Sequence, residues 1–360
     1  VRGVKRGRKR DGARDSWHSH GAVQFRLVRT LASGTAALGL AVWLLAPTGC
    51  ATGSDASAPN DGGAAEGSAA DAPAGDATGD GGAGTSIQKA CNDNASSYCM
   101  QLQQCAPFLL TTQYGDAVTC IARNVLACTD ALQAPGTGWT GDALEACVAA
   151  RTALAAKSCD EFLHGKPAPN ACRVTGTITT SNACRYDAQC GSGYCRYMSG
   201  SSCGTCVLPG ATNAPCTTTS DCDGDLVCAG GACRVPVGVG GMCDAMMNPC
   251  QQGLACIAGY CAQPMDVGGT CSSSGDCDYD KGLYCDTTSK TCKTYIVAMN
   301  GQMCGSAGTA CFGGGSCQTM VCVAPVQDGS PCDPTQGADC MPPSTCEMGL
   351  CQLYKASMCM

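Results

Sequence analysis

The stretch Cys216-Thr-Thr-Thr-Ser-Asp-Cys222-Asp-Gly-Asp-Leu-Val-Cys228-Ala-Gly-Gly-Ala-Cys233 decides the fold. Its last two cysteines flank a segment suited to a tight β-hairpin that turns on glycine. Its apolar side chains are too few to enclose a core, so covalent staples must replace one. Four cysteines permit three pairings, and the spacing does not choose among them. The device occurs six times between Cys184 and Cys351, with a Gly/Pro-rich step between sets.

The sets are Cys184, Cys190, Cys195 and Cys203 with Cys206 added; Cys216, Cys222, Cys228 and Cys233; Cys243, Cys250, Cys256 and Cys261; Cys271, Cys277, Cys285 and Cys292; Cys304, Cys311, Cys317 and Cys322; and Cys332, Cys340, Cys346 and Cys351. First cysteines fall 27–33 residues apart, and Gly241, Gly269, Gly301 and Gly329 stand two or three positions before four of them. Cys206 and Cys359 lie outside the four-cysteine rhythm on this reading. Each repeat is expected to be a two-stranded ribbon with long loops.

Composition agrees. The chain has 360 residues with 35 cysteines, 48 glycines and only 5% aromatics. That is the profile of an oxidised, exported disulfide scaffold rather than of one large core. Each disulfide contributes roughly 2–4 kcal/mol, largely by restricting the unfolded chain.

Working outward, residues 87–172 read differently. Ala90, Cys91, Ala95, Cys99 and Leu102 recur at helical spacing, as do Val118, Ile121, Val125, Cys128 and Leu132. A third run, 144–154, follows a start at Thr140, or at Asp142 with Glu145 three residues on. The loop at 134–138 separates the second and third runs. The spacing predicts three or four helices cross-linked by Cys91, Cys99, Cys105, Cys120, Cys128, Cys147, Cys159 and Cys172.

Residues 51–86 are almost wholly Ala, Gly, Asp, Ser, Thr and Pro, a composition that buries nothing and is expected to be a disordered tether. As a coil it would span on the order of 30 Å. Upstream, Arg26-Leu27-Val28-Arg29 and the apolar segment 31–46 have the form of an export signal, too short for a membrane span. The segment ends Ala46-Pro47-Thr48-Gly49-Cys50 and resembles a bacterial lipoprotein signal, although Pro47 stands where an aliphatic residue is usual. That resemblance implies lipidation of Cys50; ordinary cleavage or an uncleaved anchor are the alternatives. Setting Cys50 aside leaves 35 − 1 = 34 cysteines, an even number. The basic leader before the signal is expected to precede the true start. The expected organisation is therefore a leader and signal at 1–49, a tether at 50–86, a helical unit at 87–172 and tandem repeats at 173–360.

Residues 1–49 carry nine Lys/Arg and two Asp, a local +7, so −7 − 7 leaves −14 on residues 50–360. That acidity disfavours nucleic acid as a partner.

Cys184-Arg-Tyr-Asp-Ala-Gln-Cys190-Gly-Ser-Gly-Tyr-Cys195, with Cys203-Gly-Thr-Cys206 and the Cys216 to Cys233 spacing, resembles the N-terminal cysteine-rich domain of the Dickkopf family, secreted antagonists of Wnt signalling. The match covers residues 184–233. The family has a Cys-Cys doublet where this chain has Cys222 alone, so its pairing does not carry over. The whole chain looks most like a cysteine-rich bacterial surface lipoprotein. The resemblances imply a small disulfide-rich fold and a lipid-anchored location at the outer membrane or cell surface, with secretion as the alternative.

Enzyme chemistry finds little support. His18 and His20 precede the signal, leaving His164, read as a solvated helix end. Glu66, Glu145, Glu161 and Glu347 form no acid/base pair. Cys203-Gly-Thr-Cys206 has the form of a redox dithiol but lacks the strand and helix of a thioredoxin-like unit. Zinc-finger spacing is absent, so no metal or cofactor is expected. Asp221, Asp223 and Asp225, like Asp276, Asp278 and Asp280, alternate as in calcium loops, but no closing glutamate follows and surface turns are expected. Asn94-Ala95-Ser96 is a formal glycosylation sequon. Phe108-Leu109-Leu110 and Tyr295-Ile296-Val297 are expected to pack between modules.

The reading is a non-enzymatic, envelope-anchored protein whose repeats form a spacer or a surface for a protein or glycan ligand. The alternatives are a Dickkopf-like signalling antagonist and, behind it, an oxidoreductase using Cys203 and Cys206. Alkylation of the denatured, unreduced mature protein is expected to label no cysteine; widespread labelling seen by intact mass would overturn the scaffold.

Overall fold

The computed structural model describes residues 84–359 apart from 165–168, 198–202, 245, 334–338 and 354. The expected signal, Cys50 and most of the tether lie outside the described residues.

Helix α1 (Ile87–Cys105) starts at Ser86, whose hydroxyl accepts from the Lys89 amide. Residues 84–86 belong to this start rather than to a loose tether: the Thr85 amide donates to Asp142 at 2.7 Å. Asp116 caps α3 (Ala117–Gln133), and Thr140 caps α4 (Gly141–Ala155), which decides between the two starts open in the sequence. Two short helices add to the expected count. Pro107 opens α2 (Pro107–Gln113), since proline at the first helical position has no amide to leave unpaired. The last is α5 (Cys159–His164).

Cys91 and Cys99 on α1 face Cys128 and Cys120 on α3, and the disulfides Cys91–Cys128 and Cys99–Cys120 fasten the two helices antiparallel. Cys105–Cys159 attaches α5, and Cys147–Cys172 holds the chain leaving α4. The buried core here is Leu102, Leu109, Leu110, Leu132, Leu144 and Phe162 with alanines and cystines, small for five helices. Covalent links make up the shortfall.

The repeats are antiparallel hairpins in tandem. Val227–Ala229 pairs with Ala232–Arg234, Ala255–Ile257 with Tyr260–Ala262, Leu283–Asp286 with Thr291–Thr294, Ser316–Gln318 with Val321–Val323, and Thr345–Glu347 with Leu350–Gln352. In each the third and fourth cysteines stand directly opposite, as in Cys228↔Cys233. They do not bond to each other. Opposed residues of a ribbon project from one face, and the first two cysteines lie on that face. One pairing of the three possible results: first to third and second to fourth, as in Cys216–Cys228 and Cys222–Cys233. Modules 3 to 6 repeat it.

Module 1 revises the expected set. Its disulfides are Cys184–Cys195 and Cys190–Cys206, and Cys195 opposes Cys206 across the sheet. Cys206 is therefore the fourth cysteine of the rhythm, and Cys203 is the supernumerary one, bonded to Cys359.

Two further hydrogen-bond rules hold in every module. The residue three before the first cysteine has positive φ and donates its amide to the fourth cysteine's carbonyl: Ser181 to Cys206, Asn213 to Cys233, Gly240 to Cys261, Gly268 to Cys292, Gly301 to Cys322 and Gly329 to Cys351. The demanding position is thus Gly240 and Gly268 rather than Gly241 and Gly269, because a left-handed backbone favours residues without a side-chain clash. The residue six before the first cysteine bridges in parallel to the second, as Val237 does to Cys250 and Val326 to Cys340. A module therefore begins six residues earlier than its cysteines announce.

The modules return to the helices, and both belong to one compact unit. Module 1 meets the end of α3, where the Tyr186 hydroxyl donates to Asp130 and Gln189 Nε2 to the Pro135 carbonyl at 2.8 Å. Phe108 of α2 packs on Tyr279 and Tyr295 at centroid distances of 5.6 and 5.3 Å. Gly282 lies beneath that ring: a Cβ there would stand 2.6 Å from Phe108. Module 5 sets Phe312 against Gly115 at the end of α2. Arg123 of α3, nearly buried, donates to both Asp328 oxygens at 2.8 Å and to the Pro342 and Met341 carbonyls. Finally Ala356 packs with Ala131, Ala134 and Tyr186, and Cys359 reaches Cys203. The chain closes on itself through a bond spanning 156 residues.

Replacing both Cys203 and Cys359 by serine leaves sixteen disulfides and every module intact. The free loop-closure value for this span is about 5 kcal/mol, a ceiling because other links already shorten the loop. The double variant is expected to stay folded yet lose the segment after Lys355 to trypsin under non-reducing conditions; retention of that segment would show that the bond does not hold the tail.

Candidate functional site

The candidate residues from the sequence do not converge on one centre. Cys203 and Cys206 are bonded to Cys359 and Cys190 respectively, so the C-x-x-C is no dithiol. The oxidoreductase reading is corrected on that ground. The cysteine triads whose sulfurs lie within 4.8 Å, such as Cys271, Cys277 and Cys292, follow from two disulfides crossing in each module.

The acidic loops also take a structural role. Asp221 points inward and is only 2% exposed. It accepts from the Thr217 amide at 2.7 Å, the Thr217 hydroxyl and Thr218 amide at 2.8 Å, and the Tyr194 hydroxyl of module 1 at 2.6 Å. Burial alone would raise its carboxyl; the Tyr194 and Thr donors outweigh that and hold it well below the usual carboxylate range. Asp276 accepts from Ser272 and Ser273 in the same way, and Gln189 accepts from the Arg185 and Tyr186 amides in module 1. Asp223 and Asp225 face solvent, while Asp278 meets Lys281 at 3.1 Å. The alternating carboxylates thus point in different directions. In modules 1, 2 and 4 the residue before the second cysteine caps a short 3-10 turn, a role the sequence reading missed. Its signal was present in Thr218-Thr-Ser-Asp221 and Ser273-Ser-Gly-Asp276, which have the Ser/Thr-x-x-acid form of a capping box.

His164 is not a solvated helix end. Its Nε2 donates to Asp280 of module 4 at 2.7 Å, and both side chains are mostly buried. Gly253 of module 3 lies against the imidazole: a Cβ there would be 2.8 Å from it. Burial disfavours the charged ring, but Asp280, Asp160 and Asp278 outweigh burial and raise its pKa above the ordinary value. The neighbouring aromatic group of Phe108, Tyr279, Tyr284 and Tyr295 is filled by its own rings, with centroids 5.0–6.0 Å apart. This junction joins the modules to the helices. The sequon is closed as well: Asn94 is 5% exposed and accepts from buried Arg151.

What remains exposed and apolar lies on the modules. In module 3 Met242 bridges to Tyr260, and in module 5 Met303 bridges to Val321. Met242 and Met303 are 72% and 77% exposed, and Tyr260 and Leu350 also face solvent. The segment before the first cysteine thus lays a third edge on each ribbon and presents side chains outward. This set of edges is the candidate binding surface. Among the described residues no helix is long and apolar enough to cross a membrane.

No protein-family model matches the sequence, and no curated protein or solved structure matches it either.

His164 is the only histidine after residue 20, which makes its titration simple to follow. A raised folded pKa means that its stabilisation is complete below the unfolded value of about 6.5 and disappears as pH rises through the folded value. An NMR midpoint above that value is expected, together with a loss of thermal stability over that window that His164→Gln abolishes. An equal midpoint in Asp280→Asn would overturn the pairing.

Proposed function

We propose that this chain is a non-enzymatic, lipid-anchored extracytoplasmic binding protein: a helical hub carrying six stapled modules, tethered through Cys50. Three lines support the reading. The thirty-four cysteines after Cys50 are all paired, as expected in an oxidising compartment. The signal-like segment ends in Gly49-Cys50 and a polar stretch follows it, an arrangement suited to holding a domain clear of a surface. Of the candidate titratable groups, Asp221 and Asp276 are engaged in capping, and His164, Asp278 and Asp280 in ion pairs.

The observation that carries the binding role is the set of outward edges at Met242, Tyr260, Met303 and Leu350 on frames fixed by crossed disulfides. Rigid frames lose little entropy on contact. A protein ligand fits these edges better than a glycan, because they offer mainly flexible apolar side chains and few flat aromatic faces. A compact head is favoured over an extended spacer, since five of the six modules touch the helices.

Palmitate labelling of cells expressing the full chain tests the anchor, and protease accessibility on intact cells tests the location. Labelling lost in Cys50→Ser, with the modules cleaved or antibody-accessible from outside, is the expected result. An unlabelled protein bearing free thiols would refute the assignment.

A further inference from the structure

Methionine is ordinarily an interior residue, and here the arrangement is inverted. Of the eleven methionines among the described residues, nine are exposed and none is buried. Cystines hold the interior places: the buried cluster of module 1 consists of Cys184, Cys190, Cys195 and Cys206. In module 3, Met242, Met246 and Met247 are 72%, 62% and 55% exposed. Around module 5, Met299, Met303 and Met320 are 49%, 77% and 57% exposed, and Met348 of module 6 reaches 94%.

Two of these side chains stand where the backbone disfavours them. Met320 and Met348 occupy hairpin turns with φ of 68° and 49°. Module 2 uses Gly230-Gly231 at the same turn. A residue with a Cβ in that conformation costs about 1–2 kcal/mol relative to glycine, and at Met348, 94% exposed, no burial offsets it. Burial within the fold therefore does not account for the number of exposed methionines or for Met348.

We propose that the exposed methionines form an oxygen-accepting surface for two-electron oxidants such as hypochlorous acid. The lone pair on Sδ attacks the chlorine of hypochlorous acid, a sulfur–chlorine bond forms, the oxygen–chlorine bond breaks and hydroxide departs. Water then attacks that sulfur, a sulfur–oxygen bond forms, and chloride and two protons leave, one of them neutralising the hydroxide; the thioether is oxidised to a sulfoxide and the oxidant is reduced to chloride. The paired cysteines offer no thiolate to compete. A sulfoxide is polar and disrupts a core; at these positions it faces water, so the fold tolerates the product.

The test titrates the disulfide-intact protein with hypochlorite, following intact mass, peptide maps and near-UV circular dichroism. A comparison protein combines Met100→Leu, Met299→Leu, Met320→Leu and Met348→Leu, four exposed positions outside the proposed binding edges. Leucine keeps an apolar side chain but takes up no oxygen. By peptide mapping, the nine exposed methionines among the described residues are expected to gain one oxygen each with the near-UV signal retained, and the half-buried Met265 and Met341 to react last. The comparison protein is expected to take up about four fewer. Loss of tertiary signal within the first few equivalents would overturn the proposal. So would equal uptake by the comparison protein, or oxidation of Met265 and Met341 in step with the others.

Discussion

Two disulfides crossing over one face of a three-residue ribbon are the interaction on which the rest depends. The opposed third and fourth cysteines aim their sulfurs to one side, and the first and second arrive on a separate arm. The arm and the ribbon are thereby locked together without an apolar interior. Because the sulfurs supply the core, the turn is free to vary. Gly230-Gly231, Ala258-Gly259, Thr319-Met320 and Met348-Gly349 all serve, each with two positive φ values. Module 4 uses a longer loop, with Lys290 in the left-handed region.

The scarce aromatics are then available for another purpose. Phe108, Tyr279, Tyr284 and Tyr295 meet between the helices and module 4, Phe312 sits on the end of α2, and Tyr186 closes the end of α3. Each ring covers more area than any aliphatic side chain, which suits junctions where no covalent link is made. Arg123 extends the same logic with a two-toothed carboxylate contact and backbone carbonyls. Low aromatic content is therefore compatible with a compact molecule, because disulfides supply most of each module's interior.

Much of this was legible from the residues. The cysteine rhythm specified stapled hairpins in tandem, and the helical spacings from Ala90 to Leu102 and from Val118 to Leu132 placed two cross-linked helices, although Val118 itself is 78% exposed. The failures were of three physical kinds. Pairing within a module depends on which face the sulfurs share, and spacing alone does not encode that. Cys203 and Cys206 were exchanged because rhythm counts residues, whereas the diagnostic contact is a backbone one, from Ser181 to the Cys206 carbonyl at 2.8 Å. His164 and the acidic loops were read locally, while their partners, Asp280 and Tyr194, come from other modules. Long-range polar contacts of this sort leave no periodicity to read. The capping role of Asp221 was local and readable, but the calcium-like alternation obscured it.

The bond from Cys203 to Cys359 bears on how the molecule is made. Cys359 is the last of the thirty-four to emerge during synthesis and export, and its partner appears 156 residues earlier. Cys203 must therefore wait as a lone sulfur while four near neighbours in its own module oxidise around it. During that interval Cys206, only three positions away, is the nearest wrong partner. A chain that stopped between Cys351 and Cys359 would keep its other sixteen bonds and carry one unpaired sulfhydryl, at Cys203.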